Sequence, residues 1–301
     1  MLIEAHELAA RLAEPVPSVR VADVRWYLNQ PGRGRREYET GHIPGAIFVD
    51  LDADLADPKG LGAPGRHPLP DPTAFARRLG ELGIGDQHLV VAYDDAGGSI
   101  AARLWWMLDN LGHPNVAILD GGIQAWPEAG NTLTTAENAW PPAELHLRST
   151  WRRAIDREAL AGQLGSVSLL DARAGDRYRG EVEPVDPAAG HIPTALSLPT
   201  GGNLAPNGRF LPAEELEARF RAIGIDPGTS GDDVVTSCGS GVTACHTALA
   251  MRLAELRDPI LYPGSFSDWS RAGLPVASGA EPGARPSSIA ASARSPARGS
   301  A

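Results

Sequence analysis

The sharpest chemical signal in the sequence is one cysteine in a glycine-rich turn. Residues 234–244 read Val-Val-Thr-Ser-Cys-Gly-Ser-Gly-Val-Thr-Ala. A β-branched run ends at Cys238, Gly239 and Gly241 follow within three residues, and a helical stretch opens after Thr243. Glycines let the chain turn tightly and point successive N–H groups inward. A helix N-terminus adds partial positive charge at the same place. A thiol placed there has its thiolate favoured and its pKa lowered. The same loop, Gly239, Ser240, Gly241, Val242 and Thr243, would cradle the anionic outer sulfur of a persulfide. A lone cysteine is more often a small buried hydrophobe. The strand-to-helix turn and its two glycines weigh against that reading for Cys238. They leave it standing for Cys245, seven residues further along the helix.

Other chemistries fit less well. Cys238, Cys245 and His246 lack zinc-finger spacing, so no metal is expected. Gly121-Gly122 and Gly201-Gly202 are isolated pairs without a nucleotide fingerprint, so no cofactor is expected. Cysteine phosphatase chemistry needs an arginine six positions after the nucleophile, and position 244 is Ala.

The elements that position Cys238 occur twice. Asp23-Val24-Arg25 ends an apolar run, and so does Asp171-Ala172-Arg173. Gly41-His42-Ile43-Pro44 returns as Gly190-His191-Ile192-Pro193. The apolar segment 88–93 matches 232–237, and Trp126 after Asp120-Gly121-Gly122 matches Trp269 after Pro263-Gly264-Ser265. Four landmarks in one order mean a duplicated domain. In the second half, strands are expected at 168–171, 195–198, 234–237 and 260–262, with helices at 212–223 and 243–256. Alternating strands and helices imply an α/β fold with a mainly parallel sheet and helices on both faces. Parallel sheets carry active sites at the carboxyl ends of strands, where Cys238 falls. Counting back from the paired tryptophans sets Asp95 opposite Cys238, so the first half carries a carboxylate where the second carries a thiol. The expected domains are 1–135, non-catalytic, and 150–276, catalytic, joined by a linker at 136–149. From 277 to 301 the chain is Ala, Ser, Gly, Pro and Arg with one Glu and one Ile, and disorder is expected.

Composition narrows the partners. The 301 residues have a formal net charge of −10, which disfavours nucleic acid and anionic membrane surfaces. No apolar stretch nears the ~20 residues that span a bilayer. Two cysteines and no leader-like N-terminus point to a reducing, cytoplasmic setting. Lys59 is the one lysine, so an anion site must use arginine or backbone amides.

The repeat, the string Gly-His-Ile-Pro-Gly-Ala at 41–46 and Cys-Gly-Ser-Gly-Val-Thr-Ala-Cys at 238–245 resemble the tandem-domain rhodanese sulfurtransferases over roughly residues 1–276. The loop is most similar to that of the 3-mercaptopyruvate enzymes. The resemblance implies two tandem rhodanese-like domains. It implies that the Cys238 thiolate takes a sulfane sulfur from 3-mercaptopyruvate or thiosulfate and passes it on. Acceptors would be cyanide, a small thiol or thioredoxin. A persulfide carrier without turnover is the alternative. Arg177 matches the family's anion-binding arginine, and Ser240 the position that contacts the donor carbonyl. Arg173 is expected to pair with an acid and buttress the loop. Thiosulfate-preferring relatives place Arg and Lys after the cysteine. Gly239 and Ser240 stand there, a neutral loop that suits a monocarboxylate. Two features depart from the mercaptopyruvate pattern. Residues 183–186 hold no second arginine, and the first-domain relay histidine, matched to His42, has no Asp at 31–36.

Overall fold

The computed structural model describes residues 1–15, 18–57 and 65–292, with side chains to 289. The first half holds β1 (Leu2–Ile3), α1 (Ala5–Leu12), β2 (Val19–Asp23), α2 (Arg33–Thr40), β3 (Ile47–Phe48), α3 (Pro72–Glu81), β4 (Leu89–Tyr93), α4 (Ala101–Asn110), β5 (Val116–Leu119) and α5 (Gly122–Glu128). The second holds α6 (Arg157–Gln163), β6 (Ser168–Asp171), α7 (Gly175–Arg179), β7 (Leu196–Ser197), α8 (Ala213–Arg221), β8 (Val234–Ser237), α9 (Ala244–Leu253), β9 (Ile260–Leu261), α10 (Ser265–Arg271) and α11 (Ser287–Ser292). The first sheet runs β1-β5-β4-β2-β3 and the second β7-β6-β8-β9. Every pair among the described strands is parallel. A parallel bridge from Ala154 to Leu261 supplies the second sheet's counterpart of β1. The two halves therefore share one topology.

Burial on both faces explains the apolar strands. In the first sheet, Val19, Val21, Val91 and Tyr93 face an outer core with Leu8 and Trp126. Ala22, Val90 and Ala92 face the opposite way, into a core that continues across the domain boundary. There α4 packs on α9, with Leu104, Trp105 and Leu108 in one apolar cluster with Ala248, Leu249 and Met251. The second sheet's outer face buries Leu169, Val235, Phe266 and Trp269. The shared inner core presses the carboxyl ends of β2 and β4 toward those of β6 and β8.

The expectation of disorder from residue 277 is corrected for 277–289. Ala277 exchanges two backbone hydrogen bonds with His191, at 2.8 and 2.9 Å. Gly279 N–H donates to Arg179, and Thr194 N–H donates to Pro282. Ile289 is buried in the second domain's outer core. Composition counts side chains, whereas this segment is held mainly through its backbone. Residues 293–301 lie outside the described residues. The first domain uses the same device: His42 exchanges backbone bonds with Thr134, and the chain then runs back over that domain through Ala143 and Glu144.

Truncation after residue 276 removes these backbone bonds and uncovers the Ile289 site. Four backbone hydrogen bonds at ~1 kcal/mol each and ~2 for the isoleucine give a gross loss of about 6 kcal/mol, which the ordering entropy of the segment reduces. Urea unfolding of the truncated chain measures it. An unchanged midpoint would deny the segment any structural weight.

Candidate active site

Cys238 lies just past the tip of β8, six residues before α9 opens. Its Sγ accepts a hydrogen bond from Gly241 N–H at 3.1 Å. Gly241 has φ +76°, and a Cβ there would sit 2.3 Å from the Pro263 carbonyl, so only glycine fits. The neighbouring turn pins Cys238 itself: its N–H donates to Ser265 Oγ at 3.0 Å, and its carbonyl accepts from Phe266 N–H. The residue is only 2% exposed. It nevertheless borders a cavity of about 310 Å³ that Gly239, Ser240, Val242, Thr243, Arg173 and Arg177 also line. Cys238 thus stands between the apolar core shared by the two domains and a cavity lined by charged and polar groups. The first domain completes the walls with Trp26, Leu28, Arg66, Ala96 and Ile100.

Arginines dominate the cavity. Arg173 forks onto Asp171, donates to the Gly190 carbonyl at 2.7 Å and lies over the Phe266 ring. Those bonds brace the β6 tip against the loop that leads into β7. Arg177 donates to Glu183 at 2.7 Å and lies 3.3 Å from Asp186. Arg66, from the first domain, pairs with the other oxygen of Asp186. No second arginine stands at 183–186, yet a second guanidinium reaches the site from the partner domain. Arg103 is fully buried with no carboxylate partner among the described residues. It donates to the carbonyls of Gly241, His67 and Leu55. Arg66, Arg103 and Arg173 all couple electrostatically with a thiolate at Cys238.

Ser240 Oγ lies 2.7 Å from His67 Nδ1, and His67 Nε2 lies 3.1 Å from Asp52. Trp26 Nε1 donates to the other Asp52 oxygen at 2.9 Å. Burial pulls the His67 imidazole below its ordinary pKa, and Asp52 counters this only in part. The hydrogen bond from His67 holds Asp52 below the usual carboxylate range. A neutral imidazole then donates from Nε2 to Asp52 and accepts the Ser240 hydroxyl proton at Nδ1. The result is a Ser–His–Asp chain ending beside Cys238.

His42 is not part of it. That residue is fully buried, stacks on Tyr38, and spends both ring nitrogens on the carbonyls of Tyr38 and Ala136. His191 repeats the arrangement with Tyr178 and Glu281. The shared Gly-His-Ile-Pro string is therefore a structural feature of both domains. His67 was legible in another way: Gly65-Arg66-His67 and Gly208-Arg209-Phe210 form a fifth repeated landmark. Each turn reaches into the opposite domain, and Arg209 correspondingly pairs with Glu4 while Phe210 N–H donates to Asp120.

The register also corrects the counterpart of Cys238. Asp23 pairs with Tyr93 where Asp171 pairs with Ser237, so Asp94, not Asp95, matches Cys238. The first domain's turn is longer by one residue, which shifted the count from the tryptophans. The Asp94 carboxylate accepts four amides, from Ala96, Gly98, Ile100 and Ala101, at 2.7 to 2.9 Å. This second cradle is filled by its own side chain, and Asp95 instead accepts from Tyr27.

Comparison with known proteins agrees with this duplicated architecture. The profile of the rhodanese-like domain matches residues 4–129 and again 156–272. A Pseudomonas aeruginosa protein named for 3-mercaptopyruvate sulfurtransferase activity is 47% identical over 89% of this chain and 94% of its own length. Human 3-mercaptopyruvate sulfurtransferase is 36% identical over 89% and 91%. The solved 3-mercaptopyruvate sulfurtransferase of Leishmania major superposes with TM-score 0.77 at 29% identity, covering 90% of this chain and 74% of that one. The chain belongs to the rhodanese-like family and carries two tandem copies of its domain.

Proposed function

We propose that this protein is a sulfurtransferase that takes the sulfur of 3-mercaptopyruvate onto Cys238 and passes it to a thiol. The carrying observation is the Ser240–His67–Asp52 chain beside the Cys238 sulfur. A thiol donor brings a proton that must move, whereas thiosulfate has none to give up. A proton chain at the reacting sulfur therefore favours the thiol donor over thiosulfate. Relatives named for either donor are found among this chain's homologues.

The steps balance as follows. The Cys238 thiolate attacks the donor sulfur, an S–S bond forms, and the donor C–S bond breaks with its electron pair staying on carbon. The donor's thiol proton passes to Ser240 as the serine proton moves to His67, and it is returned to the methylene carbon to give pyruvate. The outer persulfide sulfur is left anionic among the loop amides and Arg177. An acceptor thiolate then attacks that sulfur, the S–S bond breaks, and the Cys238 thiolate is regenerated. Cyanide, small thiols and thioredoxin are acceptors of suitable nucleophilicity. A reducing, cytoplasmic setting suits a protein whose two cysteines are both free. Among the described residues no helix is long and apolar enough to cross a membrane.

Pyruvate release from 3-mercaptopyruvate and sulfite release from thiosulfate, measured side by side, test this reading. Catalytic pyruvate release with the higher kcat/KM is expected. A better rate with thiosulfate would reverse the donor assignment, and one stoichiometric burst would make the protein a carrier.

A further inference from the structure

We infer that Arg66 is a donor-selecting residue of this site: the first domain supplies it to hold, together with Arg177, the anionic group of the sulfur donor above Gly239. The inference deepens the proposed function and rests on it for the identity of the donor.

The geometry carries it. A methyl group built on Gly239 would stand 2.7 Å from Arg66 Nη2 and 3.6 Å from Arg177 Nη1. Two guanidinium groups from different domains therefore converge over the residue next to Cys238. Asp186 lies between them, touching both, with its side chain fully buried. It sets the spacing of the pair and keeps two like charges together in a confined space. Arg66 gives Nη1 to Asp186, and Nη2 is turned toward the cavity floor. The Nε atoms of Arg66 and Arg177 are buried without a hydrogen-bond partner among the described residues. Arg66 Nη2 has no hydrogen-bond partner among the described residues and is left for an incoming anion, and a planar fork suits a carboxylate. The Arg66 backbone is anchored as well, since its N–H donates to Ser267 Oγ at 3.1 Å. A side chain at position 239 would have to displace the Arg66 guanidinium from this position.

Alkylation of Cys238 tests the residue without assuming turnover. Iodoacetate and iodoacetamide react by the same displacement of iodide, and only iodoacetate carries a carboxylate. The ratio of their rates cancels changes in thiolate reactivity and reads anion binding alone. R66A should lower the iodoacetate-to-iodoacetamide ratio about tenfold, the scale of losing one charged bidentate contact. R66Q, which keeps length and hydrogen-bonding capacity, is read in the same way if R66A folds poorly. Turnover should agree: KM for 3-mercaptopyruvate rises about tenfold while kcat stays within about threefold. An unchanged ratio in both variants, with R177A lowering it, would reduce Arg66 to an interdomain brace and overturn the inference. A lowered ratio in a protein that never turns over 3-mercaptopyruvate would sink the proposed donor and leave the Arg66 anion site standing.

Discussion

Cys238→Ser is expected to reduce sulfur transfer to background while the protein stays folded. Serine is close in size and can still accept the Gly241 N–H that Cys238 Sγ accepts at 3.1 Å. The loop therefore keeps its shape, and the loss is chemical. A hydroxyl at this position cannot accept a sulfane sulfur, and the two-step route through a persulfide closes. The second cysteine offers no rescue. Cys245 is fully buried, its thiol donates to the Gly241 carbonyl at 3.4 Å, and burial pushes its pKa up to about 12. Pyruvate release, together with intact mass after donor treatment, checks this. Wild type should gain one sulfur and C238S none. Residual catalytic pyruvate release by C238S would move the nucleophile elsewhere.

His67→Ala is expected to have the next largest effect, and an unequal one. Loss of a positioned proton acceptor costs typically 10²–10⁴-fold. For 3-mercaptopyruvate a fall in kcat of about 10²-fold or more is expected. Thiosulfate delivers no proton, so its kcat should fall by much less. The pH profile carries a second signature. The relay works with a neutral imidazole, and burial keeps His67 below its ordinary pKa of about 6.5. The acid limb of kcat with 3-mercaptopyruvate should therefore lie below pH 6.5. The Asp52 hydrogen bond and charge raise the His67 pKa, so Asp52→Asn should move that limb to still lower pH. Equal losses with both donors, together with an acid limb unmoved by Asp52→Asn, would reduce His67 to a packing residue.

Features written along neighbouring residues were legible. The run 234–244 contains a strand, a thiol, a glycine turn and a helix start without a break, so this arrangement could be read before its coordinates. The order of repeated landmarks revealed the duplication. Loop length was the weak point. One extra residue in the first domain's turn displaced the counterpart of Cys238 from Asp94 to Asp95. Residues 277–289 were misjudged because backbone hydrogen bonds leave no trace in composition.

The sequence by itself determined the thiol at a strand tip, the glycine demanded by its turn, and the twofold repetition of a parallel α/β unit. These follow from local spacing, periodicity and residue type. Only the tertiary structure decided which groups surround the sulfur. His67 meets Ser240 across 173 residues, and Arg66 meets Asp186 across 120. Neither contact has a period or spacing along the chain. Both arise because α4 packs on α9 in a shared apolar core and so turns the carboxyl ends of two sheets toward each other. That packing makes the first domain a contributor of side chains to the cavity beside Cys238, while His42, bonded to Tyr38 and Ala136 inside its own domain, stays a scaffold residue.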